Sequence, residues 1–209
     1  MKKQKSDLEK VLNPLLGFYR SRRYMEQDDF TVKIIKGLKG GLNCDVLVCK
    51  KFSDDAIKIL KLIKPPIKDY YVVTVPSHDP DKTSPGLVYI AKQIINALQM
   101  HDGISFLKRS KFVEKSSITN KRDVQTHIDS LEVGAGVSLM NKNILLFDDV
   151  KTSGATLEAC KLVLIKNSAK SVLTMCLAES VLKLDNRTKT IQNDFLKNKI
   201  KILENITLS

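Results

Sequence analysis

The chain has 209 residues, 43% hydrophobic and 28% charged, which suits one globular domain with a real core and room for a small appended lobe. No stretch approaches the roughly 18 apolar residues that span a bilayer, and no apolar signal region follows the basic start MKKQKSDLEK. A membrane partner is therefore not expected, and the composition reads as a soluble, cytoplasmic protein. The net charge of +12, from 35 Lys+Arg against 23 Asp+Glu, suits an anionic partner such as nucleic acid or a small polyphosphate. Because the lysines are spread along the whole chain, it equally suits a solubilising surface.

In chain order, residues 7–25 read as an opening helical or turn region, interrupted at Pro14 and Gly17. Two β-like runs, 30–35 and 43–49, flank the glycines at 37, 40 and 41 and resemble a hairpin. The segment SDDAIKILKLIK then has a cap candidate in Ser53, with Ala56, Ile57, Leu60 and Ile63 at helical spacing, and Pro65-Pro66 ends it. From residue 70 the pattern changes. A continuous β-rich run, YYVVTVP, precedes a helix over 84–98, and GISFL at 103–107 suggests a short strand. A polar, basic stretch follows, and then strand 144–148, helix 154–167 and strand 171–178. Strands alternating with helices predict an α/β domain with a parallel sheet covered on both faces. The last thirty residues, rich in Lys and Asn, are expected to add a short helix or strand at the edge.

The four cysteines, at 44, 49, 160 and 176, form no CxxC pair, so zinc is disfavoured. Cys160 and Cys176 lie in apolar patterns as ordinary core thiols. Gly37–Cys44 lacks the Gly-Lys-Ser/Thr end of a Walker A loop. GAG at 134–136 reads as a turn. His127 stands isolated on a helical stretch, where a structural or exposed histidine is commoner than a catalytic one. No nucleophile elbow is present.

The informative segment is NILLFDDVKTSGATLEACKLVL, 143–164. Four apolar residues end in Asp148 and Asp149. Lys151, Thr152, Ser153, Gly154, Ala155 and Thr156 follow, directly before a helix. Parallel sheets bind ligands at the carboxyl ends of their strands. A helix start with small and hydroxyl residues favours an anion. The carboxylates suit sugar hydroxyls or a hydrated Mg²⁺. A sugar phosphate reconciles both halves.

The run ILLFDDVKTSGAT resembles the phosphoribosyl-pyrophosphate (PRPP) motif of type I phosphoribosyltransferases over thirteen contiguous positions. The resemblance implies that fold, with residues 69–209 as the core and 1–68 as a small N-terminal α+β hood-like lobe. It implies that Asp148 and Asp149 contact the ribose hydroxyls and Mg²⁺, and that residues 151–156 hold the 5′-phosphate. It places the pyrophosphate on the loop after the earlier strand, at Pro76, Ser77 and His78, where VVTVPSHDP is similar to the strand end of the competence-protein F (ComF) and amidophosphoribosyltransferase-like branch. Read from the residues alone, that stretch is also a surface turn, or with His78, Asp79 and Asp81 a metal cluster.

The branch carries a basic, mobile loop before the motif. Arg109 and Lys121-Arg122 are its nearest equivalents among Lys108, Lys111 and Lys115, and Arg109 and Arg122 are the expected catalytic cations. The Gln and Gly landmarks of that loop are missing or displaced, and so is the branch's N-terminal cysteine-rich zinc element. The implied activity is Mg²⁺-dependent displacement of pyrophosphate from PRPP by a nitrogen nucleophile. Symmetric pairing is common among small soluble enzymes, so a homodimer is expected. Nothing in the sequence identifies the acceptor. The alternative is a PRPP- or nucleotide-binding regulatory protein associated with DNA.

Overall fold

The computed structural model describes residues 8, 11–20, 38, 45–64, 66–82, 84–113, 124–181 and 198–202. Their elements are β1 (Gly17–Arg20), α1 (Val46–Leu60), β2 (Tyr70–Thr74), α2 (Pro85–Leu98), β3 (His101–Asp102), β4 (Leu107–Arg109), α3 (Val124–Ile128), β5 (Leu131–Val133), β6 (Asn143–Lys151), α4 (Ala155–Lys166) and β7 (Ser171–Val181). A five-stranded sheet has the order β1-β7-β6-β2-β3, and every pairing in it is parallel. β4 and β5 form a separate antiparallel pair. The molecule is an α/β protein built on a parallel sheet, as its strand-helix alternation predicts.

β6 shows why. Ile144, Leu145, Leu146 and Phe147 are all fully buried, as a strand covered on both faces requires. Successive side chains point to opposite faces. Leu145 and Phe147 pack with Val72, Leu173, Met175, α1 and the Leu87, Ile90, Ala91 and Ile94 stripe of α2. Ile144 and Leu146 pack with Val73, Val172 and the Leu157, Cys160, Val163 and Leu164 stripe of α4. α2 and α4 thus cover opposite faces. α2 starts with Ser84 at its N-cap and Pro85 at its first turn, and ends on a left-handed Gln99.

Connectivity sets the site. From β2 the chain passes through α2 to β3 at one edge, whereas from β6 it passes through α4 to β7 on the other side. The direction of winding reverses between β2 and β6, and ligands bind in parallel sheets outside the strand ends at such a reversal.

Several expectations change. Residues 46–49 are helical, not extended. Asp45 caps α1, its Oδ1 accepting from the Leu47 and Val48 N–H groups at 3.0 and 3.2 Å. Cys49, Phe52, Ala56, Ile59 and Leu60 then bury one helical stripe. Ser53 lies inside α1 rather than capping it, and its hydroxyl donates to the Lys50 carbonyl. GISFL is not one strand: Gly103 and Phe106 are linked by a turn between β3 and β4. The 134–136 turn is as expected, closed by Val137 N–H to Gly134 O at 3.1 Å with Gly136 left-handed.

Described residues on both sides of residue 68 contribute to one cluster. Leu8, Val11, Leu12, Leu15, Leu16 and α1 share one cluster with α2 and the sheet, and β1 is itself a strand of that sheet. The proposed hairpin, at 30–35 with Gly37, Gly40 and Gly41, lies outside the described residues. So do Cys44, Lys115, Lys121 and Arg122. Among the described residues, Cys49, Cys160 and Cys176 are buried and form no disulfide, no helix is long and apolar enough to cross a membrane, and no group of three His, Cys, Asp or Glu side chains could hold a metal.

Residues 198–202 are helical, and Lys199 is buried with its ammonium donating to the Val11 carbonyl at 2.6 Å. Burial pulls its pKa down to about 8 from 10.5. In the folded state the charged form is penalised, so the penalty is complete below pH 8 and is relieved as pH rises from 8 to 10.5. Wild-type stability relative to Lys199→Met is expected to rise by about 2 kcal/mol across that window. Urea titrations of both proteins at pH 7 and 10 check it; a pH-independent difference would remove the assignment.

Candidate functional site

β2 and β6 pair as far as Thr74 opposite Phe147, and Val75 N–H still reaches the Phe147 carbonyl at 2.9 Å. Beyond that rung the strands part. β6 continues through both aspartates to Lys151, now pairing with β7 at Asp148–Cys176, Val150–Ala178 and Lys151–Glu179. This strand is longer than the expected 144–148. The backbone of 148–151 thus has no β2 partner, and the chain leaves β2 beside it through Pro76, Ser77 and His78, as at the crevice of a parallel sheet's reversal point.

Asp148 and Asp149 are half-buried at this lip. Each carboxylate is braced by the next peptide. Asp148 Oδ1 accepts from Asp149 N–H at 2.8 Å, and Asp149 Oδ1 accepts from Val150 N–H at 2.6 Å. These bonds fix each side chain while occupying one oxygen. Asp148 acts electrostatically on Arg109, Cys160 and Cys176. Burial pushes the Cys160 thiol up to about 12 and that of Cys176 higher still, with Asp148 adding to both. Neither is a nucleophile near neutral pH.

After Lys151 the chain turns into α4. Gly154 is the N-cap, left-handed at φ 81°, with no side-chain cap bond. Ser153 Oγ lies 3.4 Å from Ala155 N–H. Thr152 and Ser153 are exposed and Thr156 is half-buried. The start of α4 therefore presents the exposed hydroxyls of Thr152 and Ser153 beside the first N–H groups of the helix, a setting suited to an anion. Lys151 is held at the rim by Glu179 at 3.5 Å. A Cβ at Gly154 would meet Lys151 Cε at 3.3 Å in a backbone conformation that L-residues rarely adopt. Gly154→Ala is expected to lower stability by about 1 kcal/mol, measured by urea denaturation; equal midpoints would show that the turn relaxes.

Across the crevice, Pro76, Ser77 and His78 are half-buried. The His78 carbonyl accepts from Val113 N–H at 3.0 Å, and its ring meets Phe112 edge-on at 5.8 Å. Asp79 accepts from Asp81 N–H at 3.1 Å and pairs with Lys82 at 2.7 Å. That is a turn rather than a metal cluster.

Arg109 departs most from expectation. It lies on β4, not in an open basic loop, and only 6% of it is exposed. Its Nε donates to the Ser77 carbonyl at 2.8 Å, and its Nη1 donates to Ser130 Oγ. Burial lowers its pKa and the Asp148 charge opposes that shift, but a guanidinium stays charged at any ordinary pH. The structure thus brings Arg109 to Ser77 and Ser130, as a buried strut. His127 is also buried, with Nε2 3.4 Å from Thr156 Oγ1. Sequence reading passed over this contact and missed Ser130 altogether. No local signal could have found them, because their partners lie 29 and 21 residues away.

No family model matches the chain, and no curated protein matches it. Among solved structures, it is similar to a hypoxanthine-guanine phosphoribosyltransferase from Bacillus anthracis, at 16% identity and a TM-score of 0.39, over 63% of this chain and 68% of that one. It is also similar to the Trypanosoma cruzi hypoxanthine phosphoribosyl transferase, at 10% identity and a TM-score of 0.42, over 63% of this chain and 74% of that one.

Proposed function

We propose that the chain binds PRPP and transfers its phosphoribosyl group, with displacement of pyrophosphate at ribose C1 by a nitrogen nucleophile. One observation carries the reading: the FDDVKTSGAT segment, which resembles the PRPP motif, lies at the reversal point of a parallel sheet with an open helix start. The 5′-phosphate sits on the turn of residues 151–156. Asp148 and Asp149 accept from the ribose hydroxyls, and the Pro76, Ser77 and His78 loop receives the pyrophosphate across the crevice. The transition state is oxocarbenium-like, so carboxylates beside the ring favour its developing positive charge. Holding the donor at both ends aligns C1 for attack. Arg109 contributes charge from behind the loop. Arg122, outside the described residues, is the second proposed cation.

The donor set at Asp148 and Asp149 is entirely oxygen and half-exposed, which fits Mg²⁺ with several retained waters. When bound, that ion would neutralise charge on the departing pyrophosphate.

The test is PRPP consumption by the full chain, read as pyrophosphate release, with and without a panel of nucleobases. Release that depends on one base supports transfer and names the acceptor; no consumption under any condition rejects it. The net charge of +12 favours a second reading, a non-catalytic PRPP- or nucleotide-binding protein that also touches DNA. That reading requires DNA binding whose affinity falls steeply with salt, and absence of binding at low salt removes it.

A further inference from the structure

The two loops that form the crevice are joined behind it by a chain of buried polar groups. From the loop after β2, the Ser77 carbonyl accepts from Arg109 Nε at 2.8 Å. Arg109 Nη1 donates to Ser130 Oγ, and Ser130 Oγ donates to the His127 carbonyl at 2.7 Å. His127 Nε2 then lies 3.4 Å from Thr156 Oγ1, in the first turn of α4. Arg109, Ser130 and His127 are 6%, 2% and 7% exposed. A hydroxyl has one hydrogen. That of Ser130 is used on the His127 carbonyl, so Ser130 can receive Arg109 only as an acceptor, and both bonds are satisfied together. β4 and the α3–β5 turn are also tied by Ser110 N–H to Ser130 O at 2.9 Å.

Resting on the phosphoribosyl reading, we propose that this Arg109–Ser130–His127 chain is a positioning device that couples the two anion-holding loops and makes Thr156 a donor. With its hydrogen on Nε2, His127 donates to Thr156 Oγ1, and the Thr156 hydroxyl hydrogen is left for the 5′-phosphate. With the hydrogen on Nδ1 alone, Nε2 would accept that hydrogen and the phosphate would lose it. The length of 3.4 Å accords with a contact that tightens when ligand fills the site. Arg109 acts at the far end. It fixes the Ser77 carbonyl relative to Ser130, and hence the distance between the two loops. A guanidinium suits this role because its fork holds two acceptors in fixed geometry.

The coupling is measurable because each loop has its own probe. Ribose 5-phosphate occupies the α4 end, and inorganic pyrophosphate the Ser77 end. Affinities for both are measured calorimetrically on the full chain, for wild type and for Arg109→Met, His127→Phe and His127→Gln, with melting temperatures recorded in parallel. Arg109→Met, at the pyrophosphate side, is expected to weaken ribose 5-phosphate about tenfold. His127→Phe is expected to weaken it by a similar factor, and His127→Gln, whose amide N–H can donate to Thr156, to restore most of it. A ribose 5-phosphate affinity unchanged by Arg109→Met overturns the coupling. Equal losses in His127→Gln and His127→Phe overturn the donor role. Wild type that binds neither probe rejects the phosphoribosyl reading itself, a result distinct from both.

Discussion

Asp149→Asn is expected to lower PRPP turnover by on the order of a thousandfold while leaving the fold intact. The substitution removes charge and almost nothing else. Asn keeps Oδ1, which accepts from Val150 N–H at 2.6 Å in the native protein, so the strand end stays braced. On the proposed reading, what is lost is a full negative charge beside the sugar, where it would grip hydroxyls and favour an oxocarbenium-like ring. Its loss acts on the transition state more than on the ground state, so kcat should fall much more than KM rises. The measurement is pyrophosphate release by purified variant and wild type, with urea denaturation as the control for folding. An unchanged rate would remove the central assignment.

The second large effect is structural. Phe147→Ala is expected to lower stability by about 3–5 kcal/mol. Phe147 is fully buried and packs in the cluster that joins α1, α2 and the sheet. It also forms the last rung between β2 and β6, opposite Thr74, immediately before Asp148. A domain's total stability is typically about 5–15 kcal/mol, so the variant should be unfolded or nearly so at 37 °C. Ile144→Val, at the start of the same strand and also fully buried, removes one methyl and should cost about 1 kcal/mol. Urea midpoints for the pair check the contrast. Equal small losses would mean that the core closes around the cavity.

The elements read correctly were those whose burial follows a simple pattern along the chain. Ile144, Leu145, Leu146 and Phe147 are apolar because both faces of β6 are covered. A buried parallel strand therefore shows as an unbroken run. Helix α2 was legible because Leu87, Ile90, Ala91 and Ile94 repeat at helical spacing. Residues 43–49 misled because Val46, Leu47, Val48 and Cys49 are also an apolar run, and such a run is compatible with strand or helix. The Asp45 cap decides it, through bonds to the Leu47 and Val48 N–H groups. β1 was not foreseen, since Gly17–Arg20 is a short stretch whose strand character depends on pairing with the distant β7.

The site divides in the same way. Asp148, Asp149 and the turn from Lys151 to Thr156 are contiguous, so strand, acids and helix start form one local pattern that a linear reading can capture. Gly154 is legible too, because its left-handed backbone is a property of that turn. Arg109, Ser130 and His127 acquire their meaning only from contacts across the fold. In the sequence Arg109 is one of many cations in a basic stretch. In the structure it is a buried strut on the Ser77 carbonyl. By itself the sequence determined the parallel α/β class and the adjacency of two carboxylates to a helix start. Those depend on hydrophobic period and on neighbours a few residues apart. Tertiary structure decided that the described residues before 68 share the core, that β2 and β6 stop pairing at Thr74 and Phe147, and that the segments beyond are linked through Arg109, Ser130 and His127. Such pairings bring together groups tens of residues apart, and the composition of either partner alone does not encode them.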